Sequence, residues 1–349
     1  MKNKLLIIVI LVILFIVIPI GGYYLWNRKK INLSLPILGS NSGNNNAEVQ
    51  NTLSIEYMRK QSYPGSDIVI EETLSSGSNY NQYIASYYSE GLKIYALLTV
   101  PKGKKPDGGW PVILFNHGYI PPEAYSTTQR YVSYVDAFAR NGYIVFKPDF
   151  RGNGKSEGQA GSAYYSTNYV IDDLNALSSI KKYPDANPNK IGVWGHSMGG
   201  NITLKDLVIA PNGIKAAVIW GGVVGSYNDL INNWQHRVSY QPAPEDLYLR
   251  NKNRQDLINK YGTPQSNPGF WNSIDPTNFV SDITAPVQLD VGGADNEVPN
   301  DFSKSLYDKL QSLGKVSEYY VYPGSDHNIF QGFNLAMQRS ISFFDNYLK

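Results

Sequence analysis

The 349-residue sequence contains no cysteine. That absence excludes disulfides, thiol nucleophiles and thiolate metal sites, and it suits either redox compartment. Histidine is scarce: His117, His196, His236 and His327 are the whole supply, so any chemistry that needs an imidazole has four candidates. No acidic residue precedes Glu48, whereas Lys2, Lys4, Arg28, Lys29 and Lys30 are all basic. Setting those five charges aside turns the formal +2 into −3 for the remainder, a mildly acidic body with no patch for nucleic acid. Phosphate-loop, dinucleotide-binding and metal-ligand spacings are missing, so no cofactor and no metal are expected. There is no internal repeat, and the length fits one large α/β domain or two small ones.

What is present begins at the amino end. Every residue from Leu5 to Ile20 is apolar, and Gly21, Gly22, Tyr23, Tyr24, Leu25 and Trp26 follow before Arg28. At about 1.5 Å per residue the stretch 5–26 reaches roughly 33 Å, enough to cross a bilayer core. The aromatic residues fall where an interfacial belt belongs. Ile18-Pro19-Ile20-Gly21-Gly22 makes a poor cleavage site, so residues 1–30 are expected to be an uncleaved single-pass membrane anchor rather than a signal peptide. Basic residues flank the span on both sides and nearly balance. The large domain behind a short lead then points to an extracytoplasmic catalytic domain. Residues 31–53, with Gly39-Ser-Asn-Ser-Gly-Asn-Asn-Asn46, read as a flexible tether, and 54–349 as the folded domain.

Residues 67–101 carry two or three strands of an antiparallel lead-in, among them Asp67–Glu71 and Leu92–Val100. The unbroken apolar run Pro111–Phe115 has the pattern of a strand buried on both faces of a parallel sheet, and it ends in Asn116-His-Gly-Tyr119. Strands at 143–146, 191–196, 216–220, 287–291 and 316–322 follow. Helices at 131–139, 170–180 and 333–347 alternate with them, together with one beginning near residue 198. Eight strands in βα rhythm imply a mostly parallel sheet with helices on both faces. Residues 223–284, rich in Asn, Tyr, Trp and Pro, interrupt the rhythm. They read as a helical cap over the site or as a solvated excursion.

At Gly195-His196-Ser197-Met198-Gly199 a strand meets a helix. Gly-x-Ser-x-Gly in that context is a nucleophile elbow, a turn so sharp that the serine is forced into a strained conformation above the sheet edge. With 31 glycines in the chain the pattern alone has a real false-positive risk, so the weight falls on its partners. A serine hydroxyl needs a base, and the base needs an acid to fix its tautomer. His196 lies inside the elbow and points away from the serine; His117 ends a strand, where backbone geometry matters more. His236 falls in the interruption, as a surface or packing residue. His327, in a turn-rich loop after the last strand, is the best base. Asp295, on the loop after the preceding strand, is the matching acid, with Glu297 as competitor and Asp326 too close in sequence. For the oxyanion, the N–H groups of Met198 and Tyr119 are the candidates.

The order Ser197, Asp295, His327 is that of the α/β-hydrolases. Together with Asp149-Phe-Arg-Gly-Asn-Gly154, Asp185–Gly200, Gly292–Pro299 and Tyr322–His327, it makes residues 67–349 resemble the α/β-hydrolase superfamily. Within that superfamily the resemblance is to the catalytic domain of prolyl oligopeptidase-type serine peptidases and their esterase relatives. It implies an α/β-hydrolase fold and the nucleophile, acid and base roles for those three residues. The chain departs from the oligopeptidases in having Met198 after the serine and no room for a propeller domain. By the resemblance a small peptide is the first expected substrate, and those departures bring in an acyl ester as the second. A catalytically inactive binding module on the same scaffold is the alternative from outside enzymology.

Overall fold

A computed structural model describes residues 51–161, 163–234 and 244–349, without the side chains of 245–250. The expected anchor at 1–30, most of the tether and His236 lie outside the described residues. Among those described, no helix is long and apolar enough to cross a membrane.

One sheet organises the described chain. Its strands are β1 (Val69–Thr73), β2 (Tyr80–Ser89), β3 (Leu92–Pro101), β4 (Trp110–Asn116) and β5 (Ile144–Pro148). They continue with β6 (Ala186–His196), β7 (Ala216–Trp220), β8 (Val287–Gly292) and β9 (Ser317–Tyr322). The spatial order is β1-β2-β3-β5-β4-β6-β7-β8-β9. From β5 through β9 all neighbours are parallel, while β1, β2 and β3 form an antiparallel margin joined to β5. The expected count of eight is thus corrected to nine among the described residues. The unexpected strand is β2, paired with β3 from Tyr80↔Pro101 to Ser89↔Leu92. Asn81, Gln82 and Ser86 dilute its apolar pattern, and several of its residues are only partly covered, so periodicity gave little signal.

The parallel strands are apolar throughout because both their faces are covered. Leu114 and Val193 face one core with α3 (Asn168–Ile180), α4 (Met198–Ile209) and α7 (Asn300–Ser312). Their neighbours Phe115 and Trp194 face the other, with α2 (Val132–Arg140) and α8 (Phe333–Leu348). Trp194 stacks on Phe115, with ring centroids 4.3 Å apart. Full burial of each such side chain contributes about 1.5–3 kcal/mol. The short α1 (Ile55–Arg59) packs its Ile55 and Met58 into the first core. Between β7 and β8 the described residues are largely helical, with a π-type turn at Asp229–Asn233, then α5 (Pro244–Tyr261) and α6 (Pro268–Ile274).

The order of the parallel strands fixes where a site can form. From β4 the chain crosses to β5 on one side, then returns to β6 on the other. The connections therefore diverge between β4 and β6, and a crevice opens beyond their carboxyl ends at that switch point. Asn116-His-Gly-Tyr119 leaves β4 there, and the elbow leaves β6.

Candidate active site

Ser197 has φ 54° and ψ −116°, a backbone conformation that L residues rarely adopt. Two hydrogen bonds to the end of β7 hold it: its N–H donates to the Trp220 carbonyl at 3.0 Å, and its own carbonyl accepts from Val223 N–H at 3.0 Å. The flanking glycines are dictated by crowding. A Cβ at Gly199 would lie 1.9 Å from the Asn116 carbonyl oxygen, and one at Gly195 would lie 2.3 Å from Thr203 Oγ1. Met198 opens α4, so its N–H has no acceptor within the helix. A Cβ on Gly118 would come within 3.2 Å of Ser197 Cβ, which sets the loop carrying Tyr119 against the serine.

The loops after β8 and β9 meet on the same edge. His327 Nδ1 donates to Asp295 Oδ2 at 2.8 Å, and Asp295 Oδ1 accepts the Glu297 and Val298 N–H groups at 2.8 and 3.0 Å. Burial acts to raise the Asp295 carboxyl, but the hydrogen bond and charge of His327, with the two N–H donors, hold it below the usual carboxylate range. With Nδ1 bonded to the Asp295 carboxylate, Nε2 is the ring nitrogen left for another partner. His327 packs over Gly221, next to the β7 end that anchors Ser197. A Cβ at 221 would lie 3.1 Å from His327 Nδ1.

The other candidates make different contacts. Glu297 meets Asp295 through its N–H, and its carbonyl accepts from Trp234 Nε1 at 2.8 Å. Asp326 Oδ1 accepts the Phe330 N–H at 2.9 Å. His117 donates from Nδ1 to the Gly118 carbonyl at 2.7 Å and is wedged between the rings of Tyr125 and Phe150. Burial first, and then the Lys147 charge, push its pKa down to about 3, so the ring stays neutral.

Sequence reasoning missed two groups of side chains. Tyr131 O–H bridges Gly118 N–H at 2.8 Å and His196 Nδ1 at 2.7 Å, and His196 Nε2 lies 3.1 Å from the His327 carbonyl oxygen. Beneath the loop that follows β4, Asn116 Nδ2 donates to Asp173 Oδ2 at 2.9 Å and to Thr203 Oγ1 at 3.2 Å, with Asp206 alongside. Burial pushes the Asp173 carboxyl up to about 6. Asp206 is raised well above the ordinary value by burial and by the Asp173 charge. One signal was available in the sequence: Asp172 and Asp173 stand side by side within the apolar run Val170–Leu177 of α3, where a solvated carboxylate has no place.

The sheet order is that of the α/β-hydrolase fold, and a serine at its switch point with an Asp–His pair on the same carboxyl edge is an arrangement that suits a serine hydrolase. Comparison with known proteins agrees. A family model described as serine aminopeptidase, S33, matches residues 111–261. The uncharacterized peptidase YtmA of Bacillus subtilis is 26% identical over 258 residues, spanning 72% of this chain and 88% of that protein. Among solved structures, the acylaminoacyl peptidase of Pyrococcus horikoshii superposes with a TM-score of 0.61 at 21% identity, over 78% of this chain and 42% of that one. Acetyl xylan esterase 1 of Thermoanaerobacterium superposes with a TM-score of 0.60 at 19% identity, over 83% of this chain and 90% of that one. The chain therefore spans less than half of the archaeal peptidase and most of the esterase.

Proposed function

We propose that this chain is a serine peptidase acting on small peptides, with Ser197 as nucleophile, His327 as base and Asp295 as the acid that orients it. His327 Nε2 takes the hydroxyl proton as Ser197 Oγ bonds to the carbonyl carbon. The carbonyl electron pair moves to oxygen, where the Met198 and Tyr119 N–H groups receive it, each worth about 3 kcal/mol of transition-state stabilisation. Collapse of this adduct breaks the C–N bond, and His327 returns the proton to the leaving amine. Water then deacylates Ser197 by the same sequence. The observation that carries the proposal is the 2.8 Å bond between His327 Nδ1 and ionised Asp295, beside the strained serine. Similarity to peptidases supports an amide substrate.

The second reading is a carboxylesterase. It is favoured by the fit to a stand-alone esterase chain, 90% of which is covered. The full chain assayed against short peptide amides and acyl esters separates the two: turnover of esters alone sinks the peptidase reading. Labelling by a fluorophosphonate in the wild type, lost in Ser197→Ala, is expected in both.

Residues 223–284 are proposed to act as a cap, supported by the reach of Trp234 to Glu297 on the acid loop. The apolar run 5–26 is proposed to anchor the enzyme with its domain outside the cytoplasm. A carboxyl-terminal tag on whole cells should then be open to an impermeant label, and absence of labelling overturns that orientation.

A further inference from the structure

We propose that Tyr131 and His196 are positioning residues that bolt the base loop to the oxyanion loop through one directed chain of hydrogen bonds. The proposal rests on the assignment of Ser197, Asp295 and His327 given above.

The direction of each bond follows from elementary donor counting. His196 is buried, and burial foremost, then the nearby His327 charge, lowers its pKa to about 3, so its ring carries a single proton. The His327 carbonyl, 3.1 Å from His196 Nε2, can only accept, which fixes that proton on Nε2. Nδ1 is then a bare lone pair. The Tyr131 phenol, 2.7 Å away, must donate to it. The phenol oxygen is left to accept the Gly118 N–H at 2.8 Å. No bond in the series can reverse without leaving a buried polar atom unpaired, at about 1–3 kcal/mol.

Two consequences bear on the site. The Gly118 N–H is already committed to Tyr131, so it is not available to an oxyanion. His327, whose ring centroid lies 4.7 Å from that of His196, has its main chain held by the residue preceding the nucleophile. Its Nδ1 is held separately by Asp295. The series therefore ties the loops after β4 and β9 to the elbow after β6. The strain at Tyr131, which enters α2 with φ 60°, lies on the same path. The sterics allow little slack: a Cβ on Gly118 would sit 2.6 Å from the Tyr131 hydroxyl and 3.1 Å from His196 Nδ1.

The test compares Tyr131→Phe, His196→Leu, His196→Gln and the double variant Tyr131→Phe/His196→Leu. Tyr131→Phe and His196→Leu should each lower kcat by about 10–100-fold, with KM within about twofold of wild type, because misplacement acts on the transition state. His196→Gln, which can still offer an N–H to the His327 carbonyl, should recover part of that loss. The double variant should be no more than about twofold slower than His196→Leu, since one broken link already releases both loops. Unchanged kcat in Tyr131→Phe, or single losses that multiply in the double variant, overturns the proposal.

A second measurement uses the wild type alone, so it holds even if a variant fails to fold. Histidine 15N spectra should show the His196 ring, assigned through its sequence neighbours, as a neutral Nε2–H tautomer from about pH 8 to about pH 5. An Nδ1–H tautomer, or protonation in that range, overturns the series whatever the activity. Failure of the wild type to label with fluorophosphonate or to turn over any ester or amide is a different result, and it sinks the hydrolase assignment instead.

Discussion

Asn116 Nδ2 reaches Asp173 Oδ2 at 2.9 Å, and through that contact the end of β4 rests on a pair of buried carboxyls, Asp173 and Asp206. Both have raised pKa values, so the folded protein holds protons that an unfolded chain, titrating near 4, would release. Below the unfolded value both states are protonated and the pair has no cost. As pH rises from about 4 through the raised folded values, about 6 for Asp173 and well above the ordinary value for Asp206, stability falls. Asp206→Asn mimics the protonated carboxyl and removes that dependence. Relative to wild type, its Tm should rise by about 2–4 °C at pH 8 and by no more than about 1 °C at pH 4. Equal shifts at both pH values would refute this account of the raised carboxyls.

Arg151 grips Asp172 from the loop after β5: Nε and Nη2 bond both carboxylate oxygens, and the Arg151 N–H adds a further bond at 2.9 Å. The Asp172 side chain is fully buried. Arg151→Ala leaves that charge alone, and denaturant unfolding should show a loss of about 3–5 kcal/mol. Arg151→Lys keeps the charge without the fork and should restore less than half. A loss below about 1 kcal/mol, the scale of a surface pair, argues that water reaches Asp172.

Gly221 has φ 50° and lies against the His327 ring. Gly221→Ala combines about 1–2 kcal/mol of backbone strain with a methyl pressed on Nδ1. The expected outcome in steady-state kinetics is a kcat lower by about 10–100-fold, with KM nearly unchanged. A variant that loses stability but keeps kcat would show that the imidazole tolerates displacement.

Asp295 and Glu297 are two positions apart on one loop and should differ sharply in kinetics. Asp295→Asn is expected to cut kcat by about 10⁴-fold by presenting the wrong partner to Nδ1. Glu297→Gln should stay within about threefold, since its contacts with Asp295 and Trp234 run through backbone atoms. Comparable losses in both would move the acid role to the loop as a whole.

The serine turn and the Asp295–His327 pair could be picked out because histidine is scarce and the order of the three residues along the chain is informative. Four histidines leave few bases, and a serine between glycines at a strand-to-helix junction leaves few conformations. The parallel strands announced themselves through apolar runs such as Pro111–Phe115. β2 did not, because half-covered positions accept Tyr, Asn, Gln and Ser alike. α7 also went unread: its buried Phe302, Leu306 and Leu310 are spaced correctly, but Lys and Asp fill the turns between them. The bonds of Tyr131 could not be read at all. Its partner His196 lies 65 positions away, and nothing local to either residue records that contact.

The pairing of β9 with β8, and of β8 with β7, carries a kinetic consequence. With the roles proposed above, a chain whose last two strands have not docked has Ser197 without its base or its acid. Such a chain is expected to be catalytically latent, however much helix it has gained. On refolding, recovery of hydrolysis should trail recovery of the circular dichroism signal, so that incomplete molecules present no armed serine to their neighbours.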